Sequence, residues 1–122
     1  MFTFKTLKNG EVNQYQLSIE RITHLLVLEQ IIGGEEYPRY IRMTGQQIER
    51  IKKIFFSGEF RSSTIPYNKF SLDSASGCYI FACPEDNQVI KVPQEGMKNI
   101  YTYYEKHQEH IAHYDAKFRS RR

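Results

Sequence analysis

The chain has 122 residues, of which 40% are apolar and 25% charged, and its formal net charge is +3. This length and composition are typical of one globular domain, which we expect to span residues 1–118 with a frayed basic tail at 119–122. The apolar runs are too short to cross a membrane, and residues 1–11 lack the apolar segment of a signal peptide, so the sequence predicts a soluble, cytoplasmic protein.

The first predicted element is a β-hairpin at the start of the chain. Asn9 and Gly10 can adopt the positive φ angles of a tight turn. Apolar and polar residues alternate on the two arms that flank this turn, as around Phe4 on the first arm and Leu17 on the second.

Residues 19–32 are predicted to form a helix. Ser18 is a suitable N-cap residue, and Gly33 with Gly34 can end the helix. The Leu, Glu and Gln residues of the segment also favour helical structure. The alternative interpretation is a buried β-strand from Ile22 to Leu28.

A strand from about Pro38 to Met43 is followed by a helix whose start is well marked. Thr44 and Gln47 have the spacing of a capping box, in which each side chain binds the backbone N–H of the other residue. An apolar stripe follows at helical spacing, and Gly58 is expected to end this helix.

The rest of the chain predicts more strands and a final helix, without an internal sequence repeat. A short strand is expected at 68–72, and a second hairpin joins 78–83 to 88–93. The final helix runs from about Gln94 to Phe118. Because hairpins dominate, we predict an α+β fold, with a mainly antiparallel sheet and about three helices packed on one face.

The two cysteines, Cys78 and Cys83, lie on one predicted strand at an odd spacing, so their side chains point to opposite faces. Their Cα atoms should be roughly 16 Å apart, whereas a disulfide needs a separation below about 7 Å. We therefore expect two reduced thiols. Their position favours small buried side chains over reactive ones.

Three histidines recur near the C-terminus, at His107, His110 and His113. On a helix they fan out, so a metal could bind two neighbours among them but not all three. A catalytic zinc needs three protein ligands, and the sequence marks no others, so we expect no metal and no cofactor. We expect His107 to be half-buried and hydrogen-bonded, with the other two histidines solvated.

Positive charge is concentrated in the middle of the chain. Residues 37–70 hold seven basic and two acidic residues, whereas residues 71–116 hold three basic and seven acidic ones. Arginine combined with tyrosine suits phosphate groups, stacked bases and protein surfaces. The alternative is an ordinary solvated face of an amphipathic helix. The residues that we predict to form a contact set are Arg39, Tyr40, Arg42, Arg50 and Lys53.

No phosphate-binding loop or hydrolase motif occurs in the sequence, so no catalytic residue is assigned. We expect a small non-enzymatic protein-binding domain with an inhibitor, immunity-type or adaptor role. Its partner would be an acidic protein, or a second copy in a homodimer, with residues 37–70 of one chain against 71–116 of the other. The alternatives are binding of nucleic acid or an anionic nucleotide through the same contact set together with the basic tail, and an enzyme with a cysteine nucleophile.

Overall fold

The computed structural model describes residues 1–8, 10–33, 39–57, 63–65, 68–73, 77–83 and 88–113. Four strands and a helix are followed by four more strands and a second helix. The first unit contains β1 (Phe2–Lys8), β2 (Glu11–Ile19), β3 (Leu26–Ile31), β4 (Arg39–Met43) and α1 (Gly45–Ser57). The second unit contains β5 (Ser63–Ile65), β6 (Asn68–Asp73), β7 (Cys78–Ala82), β8 (Val89–Pro93) and α2 (Gln94–Lys106).

The predicted α+β class with antiparallel pairing is confirmed. The described residues contain two α-helices, where about three were expected. The strands form two sheets instead of one, in the orders β1-β2-β3-β4 and β5-β6-β7-β8. The same order of elements therefore occurs twice, although the sequence itself shows no repeat.

The predicted N-terminal hairpin is confirmed by β1 and β2, which pair Phe2 with Leu17 and Lys8 with Glu11. Gly10 has a φ angle of 78°, the left-handed conformation that glycine adopts without steric cost. Along the four strands, buried residues alternate with more exposed ones. The buried side of this sheet includes Phe4, Tyr15, Leu17, Leu26, Leu28, Ile41 and Met43.

The prediction of a helix at residues 19–32 is wrong, and the alternative of a buried strand is the correct kind of element. Leu26 and Leu28 are fully buried, while Val27 and Glu29 are partly exposed. This two-residue period is that of a strand. β3 pairs with both β2 and β4, and these contacts outweigh the helical propensity of single residues.

The predicted capping box at the start of α1 is confirmed. The backbone N–H of Thr44 donates to Oε1 of Gln47 at 2.8 Å, and that of Gln47 donates to Oγ1 of Thr44 at 3.2 Å. These bonds satisfy N–H groups that a helix start leaves without helical partners. Ile48 and Ile51 then bury the apolar side of the helix. The predicted helix end at Gly58 lies outside the described residues.

In the second sheet, the predicted short strand corresponds to β6 and the predicted hairpin to β7 and β8. Cys78 pairs with Pro93, and the backbone N–H of Cys83 donates to the carbonyl oxygen of Gln88 at 2.8 Å. The turn between them, at 84–87, lies outside the described residues. β5 was not predicted from its turn-rich sequence.

The final helix begins at Gln94 as predicted but ends at Lys106, so the prediction that it continues to Phe118 is wrong. His107 has φ −116° and ψ 21°, and its N–H is shared between the carbonyl oxygens of the preceding helical turn. A 3₁₀ turn at Gln108–His110 follows, and the backbone at Ile111 is extended. The part of the predicted helix beyond His113 lies outside the described residues.

The two sheets meet along β4 and β8. Nη1 of Arg39 donates to the carbonyl oxygen of Val89 at 3.0 Å. The hydroxyl of Tyr15 donates to the backbone carbonyl oxygen of Lys91 at 2.5 Å. The carbonyl of Gln88 points toward β7. Because carbonyls alternate in direction along a strand, those of Val89 and Lys91 point away from β7, toward the opposite edge of β8. Side chains of the first sheet therefore cover that edge.

α2 packs against β1 of the first unit as well as β7 and β8 of its own. Gly96 permits this close approach, because a Cβ atom there would lie 2.7 Å from Cγ1 of Val92 and 3.1 Å from Cγ2 of Thr6. Phe2 stacks on Tyr103, with ring centroids 6.1 Å apart. One hydrophobic cluster accordingly includes residues from both sheets and both helices.

Candidate functional site

The three predicted contact residues on β4 do not share one face of the sheet. Arg39 lies on the same side as the buried Ile41 and donates to Val89 across the junction between the sheets. Tyr40 and Arg42 alternate with them and face outward. Arg39 is therefore a structural link between the sheets. Tyr40 and Arg42 remain on the outer face of the first sheet.

Arg42 is held between Tyr40 and Glu20. Its Cζ atom lies 4.9 Å from the centroid of the Tyr40 ring, and its Nε lies 2.9 Å from Oε2 of Glu20. The Thr23 hydroxyl and then Arg42 lower the pKa of Glu20, whose carboxylate in turn raises the pKa of Arg42. The two side chains are 41% and 30% exposed, so the pair contributes about 0–1 kcal/mol to stability. Its main effect is to orient the guanidinium over the ring.

The turn between β2 and β3 is a hydrogen-bonded structure that projects an apolar side chain. The N–H of Glu20 donates to the carbonyl of Leu25 and that of His24 to the carbonyl of Glu20, both at 2.9 Å. The N–H of Leu25 donates to Oγ1 of Thr23 at 3.3 Å, and His24 has the left-handed φ of 60°, which few non-glycine residues adopt. Ile22 stands on this turn and is 90% exposed.

We name the residues Arg21, Ile22, Tyr40 and Arg42 the turn surface. The first two line an open depression together with Arg42 and Glu20. A single exposed apolar residue is ordinary, but this one is held by a bonded turn and stands beside residue types that dominate protein interfaces. The turn surface is therefore formed before any partner arrives.

The other two predicted contact residues, Arg50 and Lys53, lie on the exposed side of α1. Their spacing of three residues places them next to each other on the helix. Both line one open groove, which we name the helix groove, and its remaining described residues are Gln46, Glu49 and Lys52.

Side chains of α2 engage two charged residues of the helix groove. Oε2 of Glu49 accepts a hydrogen bond from the hydroxyl of Tyr104 at 2.8 Å. Burial raises the pKa of Tyr104 to about 12, so this phenol remains protonated at neutral pH. Lys52 is ion-paired with Glu105, whose carboxylate raises the pKa of Lys52. Arg50 and Lys53 are the other two basic residues among the described residues that line the groove.

Of the predicted contact set, Arg42 lines one depression and Arg50 and Lys53 line the other. Arg39 and Tyr40 line neither. Sequence reasoning missed Arg21 and Ile22 because it placed them in a helix. A usable signal was present, since residues 20–24 are polar except for Ile22 and separate two apolar segments, a pattern typical of a turn.

The chain returns to the first unit after α2. The N–H of Ala112 donates to the carbonyl of His24, and the N–H of Gly45 donates to the carbonyl of Ala112, both at 2.7 Å. We name Ile111–His113 the C-terminal junction. It connects the base of the turn surface to the first residue of α1.

The three histidines have different surroundings. His107 is half-buried and packs on Tyr103, with ring centroids 4.5 Å apart, while His110 is exposed. Nε2 of His113 lies 3.3 Å from the hydroxyl of Tyr104. Within the part of the chain that the structure describes, no three His, Cys, Asp or Glu residues are grouped as ligands for a metal.

The two cysteines are buried and not disulfide-bonded, as predicted. Cys78 and Cys83 are each 8% exposed. Reactive cysteines are usually more accessible and lie in electropositive surroundings. Their burial therefore favours packing over nucleophilic attack.

None of the helices in the described ranges is long and apolar enough to span a bilayer. No protein-family model, curated protein or solved structure matches the chain. The chemistry of the turn surface and of the helix groove is thus the basis for a functional proposal.

Proposed function

We propose that this protein is a non-enzymatic binding module that recognises an acidic protein through the turn surface. The observation that carries the proposal is Ile22, which is 90% exposed on a turn held by its own hydrogen bonds. Because the backbone of this turn is already ordered, docking costs less conformational entropy than it would for a loop without such bonds. The inhibitor, immunity-type or adaptor role in the cytoplasm belongs to the same proposal.

The turn surface also defines the chemistry of the partner. Ile22 requires an apolar pocket, and Arg21 and Arg42 favour carboxylates at the rim of that pocket. Arg42 is already held by Glu20 and stacked on Tyr40, so its guanidinium is oriented before a partner binds. Tyrosine and arginine at such positions often account for most of the binding energy.

The test is capture of partners from a nuclease-treated native lysate, quantified by mass spectrometry, with wild-type protein and Ile22→Asp as bait. Thr102→Asp is the control, because it introduces the same charge at an exposed position on α2, away from the turn surface. A protein that Ile22→Asp loses at least tenfold and Thr102→Asp retains supports the proposal. Equal capture by all three baits contradicts it.

The second candidate function is binding of nucleic acid or an anionic nucleotide in the helix groove. It is supported by Arg50 and Lys53, two cations that line one groove. Such binding should fall steeply with added salt and depend little on base sequence. The probes are mixed-sequence single-stranded DNA and RNA, and ATP.

The double variant Arg50→Glu with Lys53→Glu tests this second candidate. Its control is Lys98→Glu with Lys106→Glu, two exposed lysines of α2 that give the same change in net charge. Binding that only the groove variant abolishes supports the candidate. Binding that both variants weaken equally reflects net charge alone and contradicts a site in the groove.

A further inference from the structure

The outer face of the first sheet, opposite the core, presents side chains from neighbouring strands. β1 and β3 run in the same direction on either side of β2, because each pairs antiparallel with it. We name the outward residues of these two flanking strands the sheet face, and they are Thr3, Lys5, Leu7, Val27, Glu29 and Ile31.

Exposed apolar residues are concentrated at one end of this face. Leu7 is 64% exposed, Val12 62% and Ile31 39%. Leu7 and Val12 are cross-strand partners, and Ile31 pairs with Gln14, the next outward residue of β2 after Val12. The three apolar side chains are therefore neighbours, and a cluster of this kind is typical of an interaction surface.

The charges on the face are opposite and lie on opposite sides of β2. Lys5 is exposed on β1, and Glu29 is half-exposed on β3. Neither is ion-paired to another described residue. Between them β2 presents Gln14 and Gln16, which are uncharged. Lysine on one flank and glutamate on the other make the face complementary to itself.

We propose that the sheet face is the interface of a symmetric homodimer. A two-fold axis along β2 places β1 of one copy opposite β3 of the other, and the same contact then occurs twice. By the strand registers, Thr3 of one copy lies opposite Glu29 of the other, and Lys5 lies opposite Ile31. The complementary pairs, Lys5 with Glu29 and Leu7 with Ile31, lie diagonally across the axis.

These pairs are offset along the strands. Lys5 pairs with Gln14, whereas Glu29 pairs with Gln16, so Lys5 of one copy and Glu29 of the other are one outward position apart along the strands, or about 7 Å. Packed sheets cross at about 30°, which takes up part of this offset. Lysine and glutamate side chains are long enough to span the rest.

The dimer leaves the turn surface open. β4 lies beyond β3 in the sheet order, so Tyr40 and Arg42 fall outside the strands that face each other. The assembly therefore carries two turn surfaces. It also differs from the contact between residues 37–70 and 71–116 that the charge distribution of the sequence favoured.

The experiment measures the molar mass of the full chain over a range of concentrations by sedimentation equilibrium. The mass should rise from 14.5 kDa to twice that value. Lys5→Glu and Glu29→Lys should each weaken dimerisation at least tenfold by opposing like charges, and the double variant should recover it. Lys98→Glu, on the exposed side of α2, is the control and should leave the dimer unchanged.

Three results would overturn the proposal. One is a chain that stays monomeric at about 1 mM, where even a dissociation constant of 1 mM gives substantial dimer. Another is a dimer that neither charge reversal weakens. The third is a double variant that stays monomeric while its thermal unfolding matches that of the wild type. Leu7→Asp is a second probe, since Leu7 is 64% exposed, and it should also dissociate the dimer without unfolding the chain.

Discussion

The imidazole ring of His113 lies directly against the backbone of Gly45, the first residue of α1. A Cβ atom on Gly45 would be 2.3 Å from Nδ1 of His113, which is closer than two such atoms can approach. The same ring stacks on Tyr104, with centroids 6.0 Å apart. Residue 45 is therefore a glycine that makes room for the C-terminal junction.

The first prediction concerns Gly45→Ala. Alanine favours a helix over glycine by up to about 1 kcal/mol, but here its methyl group displaces His113 from Tyr104, and overpacking costs about 1–3 kcal/mol. We expect a net destabilisation of about 1 kcal/mol, measured by urea unfolding. In a His113→Ala background the same substitution should be stabilising. An identical effect in both backgrounds would show that the ring is not what excludes a larger residue.

The second prediction compares two arginines on one strand. Arg39→Met removes the donor to Val89 at the junction between the sheets and should lower the free energy of unfolding by about 1.5–3 kcal/mol, the range for hydrogen bonds from charged groups. Arg42→Met removes a surface ion pair with Glu20 and a contact with the Tyr40 ring, and should cost about 1 kcal/mol. Thermal unfolding followed by circular dichroism measures both, and equal losses would contradict the different roles of the two faces.

The third prediction is a loss of stability at alkaline pH. Burial raises the pKa of Tyr79 and of Tyr104 to about 12, from an ordinary value of 10.0. The unfolded chain then ionises these phenols first, so their contribution is fully present below pH 10 and is lost as the pH rises toward 12. Each tyrosine can lower the free energy of unfolding by up to about 1.4 kcal/mol per pH unit in this range.

Urea unfolding at several pH values between about 9 and 12 measures this slope. Other groups also titrate there, so the informative comparison is with Tyr104→Phe, which removes one of the two phenols. The variant should show a shallower decline than the wild type. Parallel curves would mean that Tyr104 ionises equally easily in both states.

Local sequence signals predicted the elements that short-range bonds determine. Gly10 supports a tight turn, and Thr44 with Gln47 forms the start of α1 through two bonds that span three residues. The outward position of Tyr40 and Arg42 follows from strand alternation alone. These features need no information from distant parts of the chain.

The elements that were predicted wrongly depend on distant partners. Leu26 and Leu28 become a strand because β2 and β4 lie on both sides of them. α2 ends early, and the chain beyond it bonds instead to His24 and Gly45 of the first unit. Because residues 19–32 were predicted to be a helix, the exposed turn at Ile22 was missed. Only Tyr40 and Arg42 of the turn surface were therefore predicted.

The packing of α2 on β1 has a consequence for synthesis of the chain. Phe2 can contact Tyr103, and Thr6 can contact Gly96, only after nearly the whole described polypeptide has left the ribosome. Until then the side of the first sheet that α2 covers in the folded protein is exposed. Chaperones that shield apolar strands should therefore engage this polypeptide during translation and release it once α2 emerges.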